Sequence, residues 1–248
     1  MGVPRTSPLG QIRVGCAGWT IPRGAAAQFA PEGSHLERYS RVFNFCEMNS
    51  SFYRPHREKT WSRWAASVPD GFLFSVKAPR TITHDARLNC EPDLLLEFLR
   101  QVRHLSDRLG PLLFQLPPSL TFDLEVARRF LDLLREHHLG QVVWEPRHAS
   151  WFEAGVESLL REYRIARVAA DPACVSAAST PGGDESLAYF RLHGSPRVYY
   201  SSYSDEFLDS LAVKLVGLAA AAPACCVFDN TALGFAAENA LALNRKIA

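Results

Sequence analysis

The sequence predicts an α/β fold, a single TIM-like (β/α) barrel with about eight parallel strands. The first observation behind this prediction is the length of 248 residues, at which α/β barrels commonly form one domain. The second is the number of strand-like apolar runs, and the third is the helical periodicity of most intervals between them. Open doubly wound sheets usually have fewer strands, so the strand number favours a closed barrel.

The predicted strands are short apolar runs that recur along the whole chain. Carboxylates near the start of several helical segments favour helix N-termini, because they complement the helix dipole. Such residues are Asp93, Asp123, Asp205 and Glu206. The strand-like runs cover residues 12–18, 43–49, 72–78, 111–117, 141–147, 166–171, 187–194 and 224–230.

Two segments depart from this alternation. Residues 172–186 have no helical periodicity, so we expect the helix after strand six to be missing or replaced by a loop. Residues 1–11 contain Pro4, Pro8 and Gly10 without an apolar stretch, which predicts a flexible N-terminal lead-in rather than a secretory signal. The barrel domain is therefore expected to cover residues 12–248.

Composition narrows the classes of partner. With a net charge of +1, the protein as a whole has no electrostatic field that would attract nucleic acid. A local basic patch could still bind one. The longest weakly polar stretch, 215–228, contains Pro223 and is too short to span a bilayer, so no membrane association is expected. The six cysteines lack the spacing of a zinc site, which is typical of reduced thiols in a cytoplasmic protein. The sequence does not predict an oligomeric state.

Ionisable and amide residues cluster at the downstream ends of the predicted strands. Because parallel strands end at one rim of a barrel, this placement predicts an active site there. Strand alternation puts Glu47 and Asn49 on one face of their strand. It does the same for Glu145 with Arg147, and for Arg191 with His193.

The catalytic candidates are Glu47, Glu145 and His193. Glu47 and Glu145 could serve as general acid and base, as paired carboxylates do in many hydrolases. The alternative is structural ion pairing with neighbouring cations, which perturbs carboxylates without any chemistry. The residue pattern leaves both interpretations open.

The cations at the same rim predict binding of a small anionic substrate. Imine formation by Lys77 is a further alternative, but it requires a lowered pKa, and we expect neighbouring carboxylates to keep this lysine charged. Glycine-containing turns after strands seven and eight could bind phosphate or simply cap the next helix. The predicted substrate-binding residues are Trp19, Asn49, Tyr53, Lys77, His84, Gln115, Arg147, His148, Trp151, Asp171, Arg191 and Asn230.

Aromatic residues and histidines at the rim raise two further possibilities. Trp19, Tyr53 and Trp151 could stack on a sugar or base, or could pack on the barrel mouth. Histidines and carboxylates supply metal-ligand types, but no metal-binding spacing is present and the neighbouring cations disfavour a divalent ion. We therefore expect no metal and no other cofactor, with a metal-dependent hydrolase or phosphodiesterase as the alternative.

Seven motifs are distributed over nearly the whole chain: AGW (17–19), FCEMNSSFYR (45–54), FSVKAPRTITH (74–84), GPLLFQLPPS (110–119), WEPRHASWF (144–152), FRLHG (190–194) and FDNTALGFAAENAL (228–241). Together they resemble the YecE-like family, also known as domain of unknown function 72. The resemblance implies a TIM-like barrel, and the activity of this family is unassigned. Members usually continue the first motif with a tyrosine and a further tryptophan, where this chain has Ile21 and Gly24.

These observations together predict an enzyme-like barrel. We expect it to act on a phosphate-bearing, carboxylate-bearing or sugar-containing small molecule by carboxylate acid/base chemistry, with hydrolysis as the reaction class. A barrel that binds a metabolite without turning it over is the alternative from a different class.

Overall fold

The computed structural model describes residues 11–248, so residues 1–10 of the predicted lead-in lie outside the described residues. The strands are β1 (Ile12–Ala17), β2 (Phe45–Met48), β3 (Leu73–Lys77), β4 (Leu109–Gln115), β5 (Val142–Glu145), β6 (Ala166–Arg167), β7 (Ala169–Asp171), β8 (Gly182–Gly183), β9 (Ala188–Leu192) and β10 (Ala224–Phe228). The α-helices are α1 (His35–Ser40), α2 (Ser50–Tyr53), α3 (Glu58–Ala66), α4 (Pro92–Val102), α5 (Leu124–His137), α6 (Ala154–Glu162), α7 (Asp205–Ala219) and α8 (Phe235–Ile247).

The strands form one sheet that curls into a nearly closed barrel. The sheet order is β7-β9-β10-β1-β2-β3-β4-β5-β6-β8, and all neighbours are parallel except β6 and β8. β6 and β7 are separated only by Val168, whose N–H donates to the carbonyl of Trp144 (2.9 Å). Since β6 pairs with β5 and β7 pairs with β9, the chain itself joins the two sides of the sheet. The eight-stranded parallel barrel predicted from the sequence is confirmed, with strand six interrupted at one residue.

The connection after strand six has no α-helix, as predicted. It contains a 3₁₀ turn at Ser176–Ser179 and the short strand β8, which pairs antiparallel with β6. The buried Arg167 side chain donates to the carbonyls of Ala177 (2.9 Å) and Thr180 (3.2 Å), and so ties this loop to the barrel. A cavity of about 620 Å³ lies where a helix would otherwise cover the strands.

Alternation along the strands produces two separate cores. Phe45, Leu113, Val143, Tyr189 and Val227 belong to a small cluster inside the barrel. Their strand neighbours, which point outward, pack against the helices in a second and larger cluster. Because successive strand residues face opposite sides, the residue two positions after each interior side chain also faces inward.

Close contact between β1 and β2 depends on Gly15. A Cβ atom at this position would lie 2.0 Å from the carbonyl oxygen of Phe45 and 2.9 Å from the Tyr39 hydroxyl. The buried Tyr39 hydroxyl accepts from the N–H of Cys16 (2.7 Å) and donates to the carbonyl of Phe45 (2.9 Å). A larger residue at position 15 would therefore separate the two strands that lead to Glu47.

The helix termini agree with the sequence-based expectations. Asp123 caps α5 by accepting from the N–H of Val126 (3.0 Å), and Asp205 and Glu206 lie in the first turn of α7. All six cysteines are free thiols. Over residues 11–248, no helix has the length and apolar composition needed to cross a bilayer.

Candidate functional site

The inward-facing side chains change from apolar to charged at the carboxyl ends of the barrel strands. Glu47 follows Phe45, Glu145 follows Val143, and Arg191 follows Tyr189 at the spacing of two that keeps a side chain on the same face. These charged residues and His193 are fully buried. The apolar side chains fill the interior of the barrel beneath these charged residues. Buried charges are tolerated near the barrel mouth only when they are paired.

Arg191 is the centre of this charge cluster. Its Nε and Nη2 donate to the Glu47 carboxylate at 2.9 and 2.6 Å, its Nη1 donates to Glu145 Oε2 (2.6 Å), and its Nη2 also contacts Asp229 Oδ2 (2.9 Å). Burial opposes the charge of this guanidinium, but Glu145, Glu47 and Asp229 together raise the pKa of Arg191 well above its ordinary value. One planar group thus holds three carboxylates in fixed positions.

Tyr189 completes the environment of Glu47 from below. Its hydroxyl donates to Glu47 Oε2 (2.9 Å) from the apolar layer inside the barrel. Both carboxylate oxygens of Glu47 are therefore engaged by buried donors, which fixes the rotamer of this side chain.

His193 links two of the carboxylates. Its Nδ1 lies 3.0 Å from Asp229 Oδ2, and its Nε2 lies 2.9 Å from Glu145 Oε1. Arg147 Nη2 is 2.6 Å from His193 Nε2 and 2.7 Å from Glu145 Oε1. An imidazole protonated on Nδ1 alone can donate to Asp229 and accept from Arg147, whereas an imidazolium can donate to both carboxylates. The surroundings therefore provide partners for either protonation state.

The carboxylates beside His193 are strongly acidic. Burial raises the pKa of Glu145, but Arg191, Arg147 and His193 outweigh it and hold the pKa well below the ordinary value. The balance is the same for Asp229, where Arg191 and His193 lower the pKa against the effect of burial. Both groups consequently stay ionised at neutral pH. We call Glu47, Glu145, Tyr189, Arg191, His193 and Asp229 the Arg191 network.

Lys77 is buried at the same mouth but is not held in the same way. Its Nζ lies 4.1 Å from the ring centre of Phe52, and within residues 11–248 no hydrogen bond or ion pair to this ammonium is present. Burial, and then the charge of Arg191, lower the pKa of Lys77 to about 8, although Glu145, Glu47 and Asp229 act in the opposite direction. The carboxylates favour the charged form of this lysine, as expected, but desolvation is the larger effect and lowers its pKa.

A family model described as "Protein of unknown function DUF72" matches residues 13–248, almost the whole described chain. The chain belongs to the DUF72 family. Among curated proteins it is similar to UPF0759 protein YecE of Escherichia coli K12, with 33% identity over 148 residues. That match covers 59% of this chain and 52% of YecE, so the chain spans about half the length of this relative.

Solved structures support the barrel fold of this DUF72 protein. A crystal structure of a DUF72 family protein from Enterococcus faecalis has a TM-score of 0.82 at 19% sequence identity, covering 95% of each chain. A crystal structure of D-psicose 3-epimerase with D-tagatose from Clostridium cellulolyticum has a TM-score of 0.52 at 11% identity, covering 87% of this chain and 91% of that one. At these identities the similarity concerns the fold alone.

Several predicted substrate-binding residues make no contact with the Arg191 network. Trp151 is buried, packs between Trp144 and Phe122, and donates from Nε1 to the Leu120 carbonyl (2.9 Å). We expected Trp151 to contact substrate, but it is a core residue. The 3₁₀ turn Ala149–Phe152 directs its indole into the outer core.

Other predicted contacts have structural partners of their own. His148 caps this 3₁₀ turn by accepting from the Ser150 N–H (3.2 Å). Asp171 accepts from the Tyr203 hydroxyl (2.9 Å). Asn230 is buried and donates to the carbonyl of Ser201 (2.9 Å) and to Asn239 (2.8 Å). These three side chains hold loops at the rim in place.

The remaining predicted residues lie around the mouth. Trp19 packs edge-on against Trp64 (5.3 Å between ring centres), and Tyr53 is 75% exposed. His84 contacts the ring of Phe52 (4.9 Å) and hydrogen-bonds Thr83 Oγ1 (2.9 Å). Gln115 ends β4 and is paired in register with Glu145, whereas the buried Oδ1 of Asn49 has no hydrogen-bond partner among the described residues.

Two members of the site were not among the predicted residues. Asp229 follows Val227 at the same spacing of two that identifies Glu47 and Glu145, so alternation in strand β10 was sufficient to find it. Tyr189 has the same relation to Arg191, but its position inside an apolar run resembles that of an ordinary core residue. Tyr199, in the loop between β9 and α7, also lies beside His193, with 6.0 Å between the ring centres. The conformation of this loop produces the contact, so strand alternation could not predict it.

The carboxylate oxygens that could bind a metal ion at this site are paired with arginine side chains of the protein itself. Among the described residues, no group of three or more His, Cys, Asp or Glu side chains is arranged to hold a metal ion. Glu145 contacts both Arg147 and Arg191, and Glu47 accepts from Nε and Nη2 on one edge of the Arg191 guanidinium. A divalent ion at these oxygens would have to displace guanidinium groups.

Proposed function

We propose that this DUF72 protein is an enzyme that acts on a small substrate with an anionic group, and that a proton is transferred through His193 at the barrel mouth. The observation that carries the proposal is the position of His193 between Asp229 and Glu145, with a suitable partner for each of its protonation states. A histidine buried at the carboxyl end of a barrel strand, with its ring oriented by a carboxylate, is a common arrangement for general acid–base catalysis.

In this proposal the carboxylates position charge and do not carry the proton. A paired-carboxylate hydrolase requires one carboxyl group with a raised pKa to act as the acid. The pKa of Glu145 is lowered well below its ordinary value by Arg191 and Arg147, so it is a poor acid at neutral pH. Glu47 is engaged by Arg191 and Tyr189 and serves to orient the guanidinium. Asp229 and Glu145 orient the His193 ring by hydrogen bonds to its two nitrogens.

Arg147 and Lys77 provide the binding partners for an anionic group. The Arg147 side chain is 19% exposed, and its buried Nε has no hydrogen-bond partner in the described chain. The Lys77 ammonium likewise has unused donors. Two cations with free donors beside a compensated network favour a phosphate-bearing or carboxylate-bearing substrate. Hydrolysis of a phosphate ester or glycoside is the first reaction class to test.

The test is a thermal-shift screen with inorganic phosphate, sugar phosphates and small carboxylic acids, followed by product analysis for each stabilising compound. We expect stabilisation by an anionic compound in the wild type and in H193N, and its loss in R147M. R128M is the matched control, because it also removes an arginine charge, but Arg128 pairs with Glu162 on the protein surface.

The outcomes separate an enzyme from a binding protein. Turnover in the wild type that is lost in H193N, with binding retained, supports the proposal. Recovery of every stabilising compound unchanged would identify a metabolite-binding barrel, the alternative that the full pairing of Glu47, Glu145 and Asp229 favours. Stabilisation by no anion at all would contradict the proposal.

A further inference from the structure

Lys77 is buried at the end of a barrel strand, and no residue within 11–248 hydrogen-bonds or ion-pairs with its amine. The backbone there is fixed, because Ser51 Oγ donates to the Lys77 carbonyl (2.8 Å). The Nζ atom lies over the ring of Phe52 at 4.1 Å. The ammonium can therefore lose a proton without breaking a hydrogen bond to a carboxylate.

We propose that the neutral amine of Lys77 forms an imine with the carbonyl carbon of a small substrate. This inference rests on the proposed function, since it assigns a second chemical group to the same anionic substrate. The substrate class becomes an aldehyde or ketone that also carries a carboxylate or phosphate. Lys77 is then a catalytic residue that reacts covalently, in addition to His193.

The charges that face Lys77 come from several elements and oppose one another. Arg191 on β9 lowers the pKa of Lys77, and the His84 ring also contacts the Phe52 ring. Carboxylates at the ends of β2, β5 and β10 raise it, but burial is the largest effect and the pKa is about 8. At about pH 7, roughly a tenth of such an amine is neutral, compared with less than ~0.1% of an ordinary lysine. The carboxylates facing Lys77 are Glu47, Glu145 and Asp229.

The reaction is balanced with groups of the protein and water. The Nζ lone pair forms a bond to the carbonyl carbon, the displaced π pair takes a proton at oxygen from protonated His193, and the resulting neutral imidazole takes one of the two protons on nitrogen, which gives the neutral carbinolamine. Loss of that hydroxyl as water, together with the remaining proton on nitrogen, gives the imine. In the proposed site His193 supplies the proton to oxygen, and Arg147 binds the anionic group.

The lysine content makes this inference directly testable. The chain has four lysines: Lys59, Lys77, Lys214 and Lys246. The experiment incubates the purified protein with glyoxylate, a small anionic aldehyde, and traps the imine with cyanoborohydride. A parallel sample receives glycolaldehyde, which is uncharged. Peptide mass spectrometry then measures the modification of each lysine.

We expect glyoxylate to modify Lys77 at least about tenfold more than Lys59 at about pH 7, with the modification levelling off above about pH 8. The difference is expected to be smaller for glycolaldehyde. Lys246 is an internal comparator, because Asp209 and Asp205 raise its pKa. The wild-type map alone decides the question, and K77R serves only to confirm the assignment of the modified peptide.

Failure of this inference and failure of the proposed function give different results. Modification of Lys77 no greater than that of Lys59 between about pH 6 and pH 9 would overturn imine formation. R147M is expected to reduce modification of Lys77 by glyoxylate more strongly than modification by glycolaldehyde. If Lys77 reacts selectively with both aldehydes and R147M changes neither, imine formation is supported while anion binding by Arg147 is contradicted.

Discussion

Two buried cations at the same barrel mouth have opposite environments. Arg191 is surrounded by Glu47, Glu145 and Asp229, whereas Lys77 rests on an aromatic ring without a hydrogen-bonded carboxylate. The pKa of Arg191 is raised and that of Lys77 is lowered, although the same three carboxylates act on both. Direct contact, and not mere proximity to negative charge, decides which cation is fixed.

This difference separates structural from reactive charge. A buried ion pair is costly to break, because removing one partner leaves the other charge without compensation. A buried lysine without a hydrogen-bonded partner is instead easily deprotonated, which makes it available for chemistry. The following changes test this contrast, beginning with the one that removes most compensation.

Replacement of Arg191 should have the largest effect on stability. R191M leaves three carboxylates without their common partner, and we expect a loss of at least about 3 to 5 kcal/mol in the free energy of unfolding or failure to fold. Urea denaturation measures this loss. If R191M does not fold, R191K retains the charge and should be destabilised measurably less. R128M, which breaks an exposed ion pair, should change the free energy by about 0 to 1 kcal/mol, and equal effects of R191M and R128M would contradict the account.

Glu145 should contribute stability that depends on pH. Its pKa is lower in the folded than in the unfolded state, so the unfolded state binds more protons in acid and stability increases with pH. The contribution is complete above the unfolded pKa of about 4.3 and is lost as the pH falls toward the folded value. We expect E145Q to cost about 3 kcal/mol near neutral pH and to flatten the acid limb of the stability profile. An acid limb identical to that of the wild type would contradict this assignment.

Lys77 should contribute a second pH dependence, in alkaline solution and of the same sign. Between its folded pKa of about 8 and the ordinary value, the unfolded state holds the additional proton, so this residue favours the folded state increasingly as pH rises. Relative to K77M, the wild type should gain up to about 3 kcal/mol between about pH 7 and pH 10.5. The control K59M changes an exposed lysine and should give no such trend. A wild-type stability that falls relative to K77M over this range would show that Lys77 is stabilised as a cation.

Replacement of Tyr189 tests the hydrogen bond between the apolar barrel interior and Glu47 of the Arg191 network. Y189F removes the hydroxyl that donates to Glu47, and we expect a loss of about 1 to 3 kcal/mol in the free energy of unfolding because the acceptor is buried. Y163F removes an exposed hydroxyl that donates to Asp132, so its cost should be below about 1 kcal/mol. A cost of Y189F no larger than that of Y163F would mean that Glu47 does not depend on this bond.

The sequence was sufficient for the barrel and for the location of the charge cluster. Alternation with a period of two places Glu47, Glu145 and Arg191 on interior faces, and the absence of helical periodicity predicts the loop after strand six. The interruption at Val168 could not be predicted, because it depends on pairing with two different strands.

The contacts within the site could not be predicted in the same way. Which carboxylate faces which guanidinium depends on strand order and side-chain reach, so the sequence left ion pairing and acid–base chemistry equally open for Glu47. The pKa of Lys77 depends on burial against Phe52, a residue of a short helix after β2. Trp151 follows the same strand as Glu145 but turns into the outer core, and the local sequence does not reveal that direction.

The central claim is that Lys77 is a buried amine that deprotonates near neutral pH while Arg191 stays fixed in its ion pairs. The most direct measurement is a pH titration by NMR of the protein labelled with ¹³C at the lysine ε-carbons, in which the K77R spectrum identifies the Lys77 resonance. We predict that this resonance titrates with a midpoint near 8. A midpoint above about 10, the ordinary value for lysine, would contradict the claim.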